Sequence, residues 1–516
     1  MSMITLNGDN LKIDDVWAVA VEGADAVLGE DARQRVQACH EAVLRLVARG
    51  EIAYGVTTGF GAFKKKLIAP QQTAELQVNL LRSHAAGVGP LADETTIRAM
   101  LLVRANTLAK GYSGVRPLVI DRLLELLRRR VYPVVPLQGS LGASGDLAPL
   151  AHLALVLIGE GEAVYEGERL PGGEALRRAG IEPVKLLAKE GVALINGTAM
   201  MTALGALTTY RAENLVCMAD VAGAMSLEAL RGTPAAFDAR LVGVRPHPRA
   251  IDAAAHLRAL LQGSTFLRPH DPTDIQDAYS LRCMPQVHGA VRDAVAYARW
   301  VLDIELNSAT DNPLVFVDER GDAEIISGGN FHGEPVAMAM DYLAMALTDL
   351  GSISERRQAR LVDPSKHDGA LPLFLTEHGG LENGLMLAQY TAAALVSENK
   401  VLAHPAVVDN VSTSADVEDH VSMGATSTRQ AHEVLINTET VVALELLCAA
   451  QGIDFRRRVL PPDARMGQGT RAAYDLIRQA VPFWEHDQVL SPHIENVRRL
   501  VAGGRLLAAV REAVHT

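Results

Sequence analysis

Residues 199–231 form one long, largely apolar pattern at helical spacing, and no other feature constrains the fold as tightly. Segments 336–350, 384–402 and 430–450 read the same way. So do 95–110 and 118–131, where apolar residues recur at three and four until Tyr132-Pro133 breaks the pattern. Several of these segments are apolar around much of their circumference, which marks helices buried on more than one side. Aromatic residues make up only 4% of the chain, while Ala, Leu and Val are abundant, a composition that suits helices packed closely on helices. Strand-like pieces at 4–6, 163–165 and 314–317 are too few for a large sheet. The expected fold is mainly α: a long central helical bundle with short strands near the N-terminus. Three regions are expected, at 1–195, 196–460 and, after Leu460-Pro461-Pro462, 461–516.

Charge and cysteine usage narrow the function. A formal net charge of −12 argues against nucleic acid or an anionic membrane as partner. Arg128-Arg129-Arg130 and Arg456-Arg457-Arg458 read as solvated helix ends or linkers. Cys39, Cys217, Cys283 and Cys448 are scattered with no Cys-x-x-Cys, so neither a zinc site nor a disulfide framework is indicated. The start of the chain lacks a basic segment followed by an apolar run, and no uninterrupted apolar stretch reaches membrane-spanning length. A cytoplasmic protein with no membrane partner is expected.

The chemistry concentrates at Gly142-Ala143-Ser144-Gly145-Asp146. If the backbone turns sharply there, the Gly145 amide nitrogen can attack the Ala143 carbonyl. Loss of water closes a five-membered ring, and loss of the Ser144 hydroxyl leaves an exocyclic methylidene. The result is a carbon electrophile, which no ordinary side chain supplies and which is otherwise the province of cofactors. The flanking glycines permit the close backbone approach. A tight Gly-Ser turn entering a helix explains the same residues more simply. A hydrolase nucleophile elbow fails, because Asp146 stands where that motif needs glycine.

Other segments are unusual in their own right. Residues 54–61, Tyr-Gly-Val-Thr-Thr-Gly-Phe-Gly, read as a mobile loop presenting Tyr54, or as a surface turn with a packed tyrosine. His84 stands in Ser-His-Ala-Ala-Gly, where a satisfied core histidine is the usual explanation. Asn196 or Thr198 fits the N-cap of the long helix that follows. In Gln276-Asp277-Ala278-Tyr279-Ser280-Leu281-Arg282, Tyr279 and Arg282 share a helix face. Arg282 suits either a substrate carboxylate, held by its fork, or an internal acid. Ser327-Gly328-Gly329-Asn330-Phe331-His332 lacks the glycine spacing and lysine of a phosphate loop. Glu418-Asp419-His420 places neighbours in different directions, so a metal site there is implausible.

Together, in this order and spacing, these segments resemble the histidine and phenylalanine ammonia-lyase family, from about residue 54 to 451. The resemblance implies a homotetramer with active sites shared between subunits. It implies that Ala143-Ser144-Gly145 matures into 4-methylidene-imidazol-5-one, with Asp146 assisting, and that no metal or diffusible cofactor is needed. The substrate amine would add to the methylidene carbon and become a leaving group. Tyr54 would remove the β-proton, and Arg282 would hold the carboxylate. Asn196, Gln276, Tyr279 and Phe331 would surround ring and substrate. Ser83-His84, Met386 and Glu418 match the histidine enzymes, Glu418 as a partner for an imidazole. Ala199 and Met284 depart from them, standing where glutamines are usual, and suggest a less polar pocket. The favoured reaction is histidine to urocanate. Tyrosine or phenylalanine lyase, an aromatic aminomutase and a non-catalytic helical scaffold are the alternatives.

Overall fold

The helix Glu94–Ala109 is buried on every side from Thr96 to Ala109, polar residues included. Asp93 caps it, accepting from Thr96 N at 2.8 Å. Its buried polar residues serve backbone groups elsewhere. Arg98 Nε donates to Ala20 O at 3.0 Å, and Asn106 Nδ2 to Leu306 O at 2.9 Å. A polar group inside a packed core is tolerated when it is paired in this way.

In the computed structural model, the residues described are 3–515 other than 54, 60, 64, 70, 71 and 270–274. They are mainly helical. The strands expected at the three positions are present as Met3–Leu6, Glu162–Tyr165 and Leu314–Val317. Each belongs to a small sheet of two or three strands: Met3–Leu6 runs parallel to Asp25–Leu28, and Leu314–Val317 forms a hairpin with Ala323–Ile326.

The chain divides into two compact units, the first comprising 1–210, 298–341 and 405–429, the second 211–297, 342–404 and 430–516. Two of the expected helices are longer than their apolar patterns. Glu334–Val362 and Gly424–Val459 run on through polar stretches. The reason lies in the second unit, where the fully buried Arg357 donates to Glu445 through Nε at 2.5 Å and Nη2 at 2.9 Å. Ser226 and Ser354 donate to the same carboxylate at 2.7 and 2.6 Å. Each charge satisfies the other, so Glu334–Val362 continues past the apolar pattern that ends at 350, and Gly424–Val459 continues past 450 with Gln451 Nε2 donating to Trp484 O at 2.9 Å.

Glu334–Val362 is the one described helix long and apolar enough to cross a membrane, with a mean hydropathy of 1.3 over its most apolar window. Over half of that window is buried inside the chain, and Asp341 within the helix is buried and accepts from Val407 N at 2.8 Å. It reads as a core helix.

In the first unit, the hairpin strand Leu314–Val317 places Val315 in a buried cluster with Cys39, Val43 and Val56. This anchors the preceding segment, whose Asn312 then fixes the 327–331 loop. Asn312 Oδ1 accepts from Gly328 N at 2.7 Å, and its Nδ2 donates to Ser327 Oγ at 3.2 Å.

Candidate active site

The sharp turn that the sequence suggested at 142–145 is present. Gly142 and Gly145 have φ of +70° and +72°, in the left-handed region that favours glycine. Bridges link Gly142 to Gly145 and Gly145 to Gly197. Gly197 N donates to Ser144 O at 3.2 Å, and Asp146 N donates to Gly197 O at 2.7 Å. A methyl group on Gly145 would collide with the Gly197 backbone, and one on Gly142 with Ser422 Oγ. The turn is therefore gripped from two sides, and neither glycine is replaceable by a residue with a side chain.

Asp146 is fully buried at the start of the Ala199–Ala229 helix. Its Oδ2 accepts from Met200 N at 2.8 Å and Met201 N at 2.9 Å, so the helix is capped from outside by Asp146 rather than by Asn196 or Thr198. Its Oδ1 has no hydrogen-bond partner among the described residues. Burial pushes the Asp146 carboxyl up to about 7; the two amides pull down, Glu305 pushes up and Arg104 pulls down.

Ser144 opens onto a cavity of about 1310 Å³ in the first unit. His84, Asn196, Phe331 and Glu418 line the same cavity, so five of the residues singled out in the sequence meet there. Leu76, Leu80, Ile195 and Val417 give it apolar walls. Ser144 Oγ donates to Glu418 Oε1, and Thr413 Oγ1 to Glu418 Oε2, both at 3.2 Å. His84 Nδ1 lies 2.9 Å from Leu80 O. A carbonyl only accepts, so Nδ1 carries the hydrogen and Nε2 is left as an acceptor. Burial lowers the His84 pKa, against the Leu80 bond and the nearby Glu418, which favours the neutral ring.

The second unit holds the other set. Gln276, Tyr279 and Arg282 line a cavity of about 740 Å³ with Arg231, Arg360, Lys366 and His367. The Arg282 guanidinium stacks 4.5 Å over the Tyr279 ring, and its Nε is buried without a partner among the described residues. Among the described residues no acid pairs with Arg282, and Asp277 is taken by Arg268 at 2.9 Å. This cavity is strongly cationic and suits a carboxylate. Met386 begins the helix Met386–Leu402 in the same unit.

Tyr54 lies outside the described residues. Ala199 and Met284, read as making the pocket less polar, line neither cavity: both are buried, and Met284 packs against Gly223. Sequence reasoning passed over Arg104 and Thr413. An arginine amid the otherwise apolar run of 95–110 was the available signal for the first. Among the described residues, no group of three His, Cys, Asp or Glu is placed to hold a metal.

Residues 11–479 match the sequence pattern of the family described as aromatic amino acid lyase. The chain belongs to that family. It is therefore an enzyme of the lyase class. It is 58% identical to histidine ammonia-lyase of Chloroflexus aurantiacus over 99% of this chain and 98% of that one. Its fold matches histidine ammonia-lyase from Trypanosoma cruzi with a TM-score of 0.91 at 42% identity, covering 99% of this chain and 96% of that one. It also matches tyrosine aminomutase from Streptomyces globisporus with a TM-score of 0.94 at 39% identity, covering 99% of both.

The turn also passes a chemical test for the self-made electrophile. Its glycines tolerate no side chain, the Gly145 strand is held against Gly197, and a buried carboxyl with one free oxygen follows directly. These features fit a tripeptide that closes on itself, and an ordinary helix-entry turn needs none of them.

Proposed function

We propose that this chain is a histidine ammonia-lyase, converting L-histidine to urocanate and ammonia with an electrophile formed from Ala143-Ser144-Gly145. The observation that carries the substrate is the pairing of two acceptors, neutral His84 Nε2 and the Glu418 carboxylate, on the cavity that Ser144 opens onto. A protonated imidazole brings two ring N–H donors to meet them, and a neutral one brings one. A phenyl ring would bury both acceptors without partners, at about 1–3 kcal/mol each, and a site built to hydrogen-bond rejects such analogues strongly. The identity to histidine ammonia-lyases supports the same choice.

Once formed, the dehydrated tripeptide supplies a carbon electrophile that makes the substrate amine a leaving group. The rest falls to side chains. His84 and Glu418 orient the imidazole, and Phe331 packs against it. Asn196, with an unpartnered buried Oδ1, offers a polar contact beside Ser144. Arg282, stacked on Tyr279 and flanked by Gln276, binds the carboxylate; Met386 borders the substrate as in the histidine enzymes. Tyr54 takes the β-proton. A free phenol has a pKa of about 10, so Tyr54 has to be paired or depressed to do so.

Part of the same proposal is a homotetramer with sites shared between subunits, in the cytoplasm, with no metal. Large apolar side chains left exposed on the long helices support assembly: Trp300 is 61% exposed, Met338 53% and Tyr390 57%. A second reading, tyrosine lyase or aminomutase, draws on the match to tyrosine aminomutase. Absorbance assays with histidine, tyrosine and phenylalanine separately decide between them. Urocanate formation with little coumarate or cinnamate is expected. Turnover of phenylalanine or tyrosine without histidine, or a β-amino acid among the products, would overturn the choice.

A further inference from the structure

Behind the Ser144 turn lies a group of buried polar atoms of which the reaction described above uses only Asn196 Oδ1. Arg104, fully buried in the middle of Glu94–Ala109, donates through Nη2 to Asn196 O at 2.9 Å and also to Ala193 O. Its Nε and Nη1 have no partner among the described residues. Neither has Thr310 Oγ1, nor Asp146 Oδ1, nor Asn196 Oδ1. Unpaired buried polar atoms are rare in folded proteins, and five in one neighbourhood call for a reason.

Gly197 stands between this group and the tripeptide. On one face its amide and carbonyl hold Ser144 O and Asp146 N. On the other, a methyl group at Gly197 would lie 2.7 Å from Arg104 Nη1 and 2.6 Å from Thr310 Oγ1. Arg104 thus presses on the back of the residue whose front grips the turn.

The charges complete the picture. Lys189 and Asp311 form a fully buried pair at 2.7 Å, and Ser113 Oγ donates to the same Asp311 at 3.0 Å. Arg104 is the cation that acts on Asp146, while Glu305, itself raised by burial and held by Thr198 Oγ1, opposes it. Burial pulls Arg104 down to about 10, with Asp311 and Asp146 opposing, so it stays charged at neutral pH.

We propose that Arg104 is a positioning residue for the self-dehydration of Ala143-Ser144-Gly145, clamping Asn196-Gly197 against the turn and supplying the positive charge that lets Asp146 take up and pass on protons. This rests on the reading that the tripeptide matures. Ring closure forms the bond from Gly145 N to the Ala143 carbonyl carbon. The Ala143 oxygen leaves as water with the amide hydrogens of Gly145 and Ser144. The Ser144 Cα hydrogen and hydroxyl leave as the second water. No electrons are gained or lost, so no oxidant is required.

The test follows intact mass over time after cell-free synthesis of wild type, Arg104→Lys and Arg104→Met, with circular dichroism and thermal melts to confirm folding. Wild type is expected to lose two waters. Arg104→Met is expected to mature roughly a hundredfold more slowly, the loss typical of one preorganised donor. Arg104→Lys, with charge but no fork, is expected to fall between. Maturation in wild type should rise with pH as Asp146 loses its proton. Its midpoint should move upward in Arg104→Met, where only the Met200 and Met201 amides oppose burial and Glu305. A purely structural role would slow maturation without moving that midpoint. If Arg104→Met does not fold, Arg104→Lys decides. Either folded variant maturing at the wild-type rate with an unmoved midpoint overturns the proposal. Wild type at its full encoded mass overturns the underlying reading instead.

Discussion

Asp146 in the first unit and Asp220 in the second are both wholly buried aspartates, and they are treated in opposite ways. Asp220 accepts from His256 and His288 Nδ1 at 2.7 Å each and from Arg292 at 2.5 Å. Burial alone would raise its pKa, but Arg292 and the two histidines hold it well below the usual carboxylate range. Asp146 has two backbone amides, one bare oxygen and a cation out of hydrogen-bond reach, and its pKa is pushed up to about 7. A buried charge kept for stability is paired on every side. One left part-satisfied costs stability, and such groups concentrate where chemistry occurs. Glu445 with Arg357 repeats the first pattern; Arg104 repeats the second.

The contrast can be broken by mutations that separate activity from stability. Ser144→Ala should have the largest effect, a fall in turnover of about a thousandfold or more, since no side chain replaces the electrophile. Its melting temperature should stay close to wild type, as little packing is lost. A melt that drops in step with activity would show Ser144 to be structural.

Asp220→Asn should do the reverse. Arg292 would be left buried with its charge uncompensated, at a cost of about 3–5 kcal/mol. Denaturant unfolding should register this, while the folded fraction keeps its mass deficit of two waters. Asp220 stabilises the fold above the unfolded carboxyl pKa, and that contribution fades only as pH falls through its depressed folded value.

Asp146 has the opposite sign. Its folded pKa lies above the unfolded one, so the native state binds the proton more tightly. Its contribution is fully present below about pH 4 and is lost as pH rises to about 7, on the order of 4 kcal/mol in all. Asp146→Asn should therefore cost much less at pH 8 than at pH 5. Equal costs at both pH values would contradict the raised pKa.

Glu418→Gln sharpens the comparison on the substrate side, with the smallest effect. Replacing a charged acceptor by an amide should lower kcat/KM for histidine by about 10–100-fold, the scale of one hydrogen bond to a charged group. It should leave the mass deficit intact. Unchanged histidine turnover would remove Glu418 from imidazole recognition.

How far these features could be read from sequence depends on what carried them. The helices at 95–110 and 199–231 were legible because apolar spacing alone specifies them. Helix Gly424–Val459 was legible only in its apolar middle, because its extension past residue 450 meets partners far away in the chain, such as Trp484, whose O accepts from Gln451 Nε2 at 2.9 Å. The turn at 142–145 was legible because it is local, a tripeptide ending in Gly145 and preceded by Gly142. Five residues of the Ser144 cavity were legible through the family resemblance. The polar group behind Gly197 was not, since Arg104, Asp146 and Thr310 come from three distant segments and their meaning lies in the partners they lack. Ala199 and Met284, next to Thr198 and Cys283 in sequence, are buried and line neither described cavity.

On the proposed function, the gripped turn at Gly142–Gly145 makes its own electrophile. The intact mass of purified wild-type protein, beside Ser144→Ala as reference, tests it most directly. Wild type two waters lighter than its encoded mass, with Ser144→Ala lacking that deficit, is the predicted result; wild type at its full encoded mass would contradict the claim.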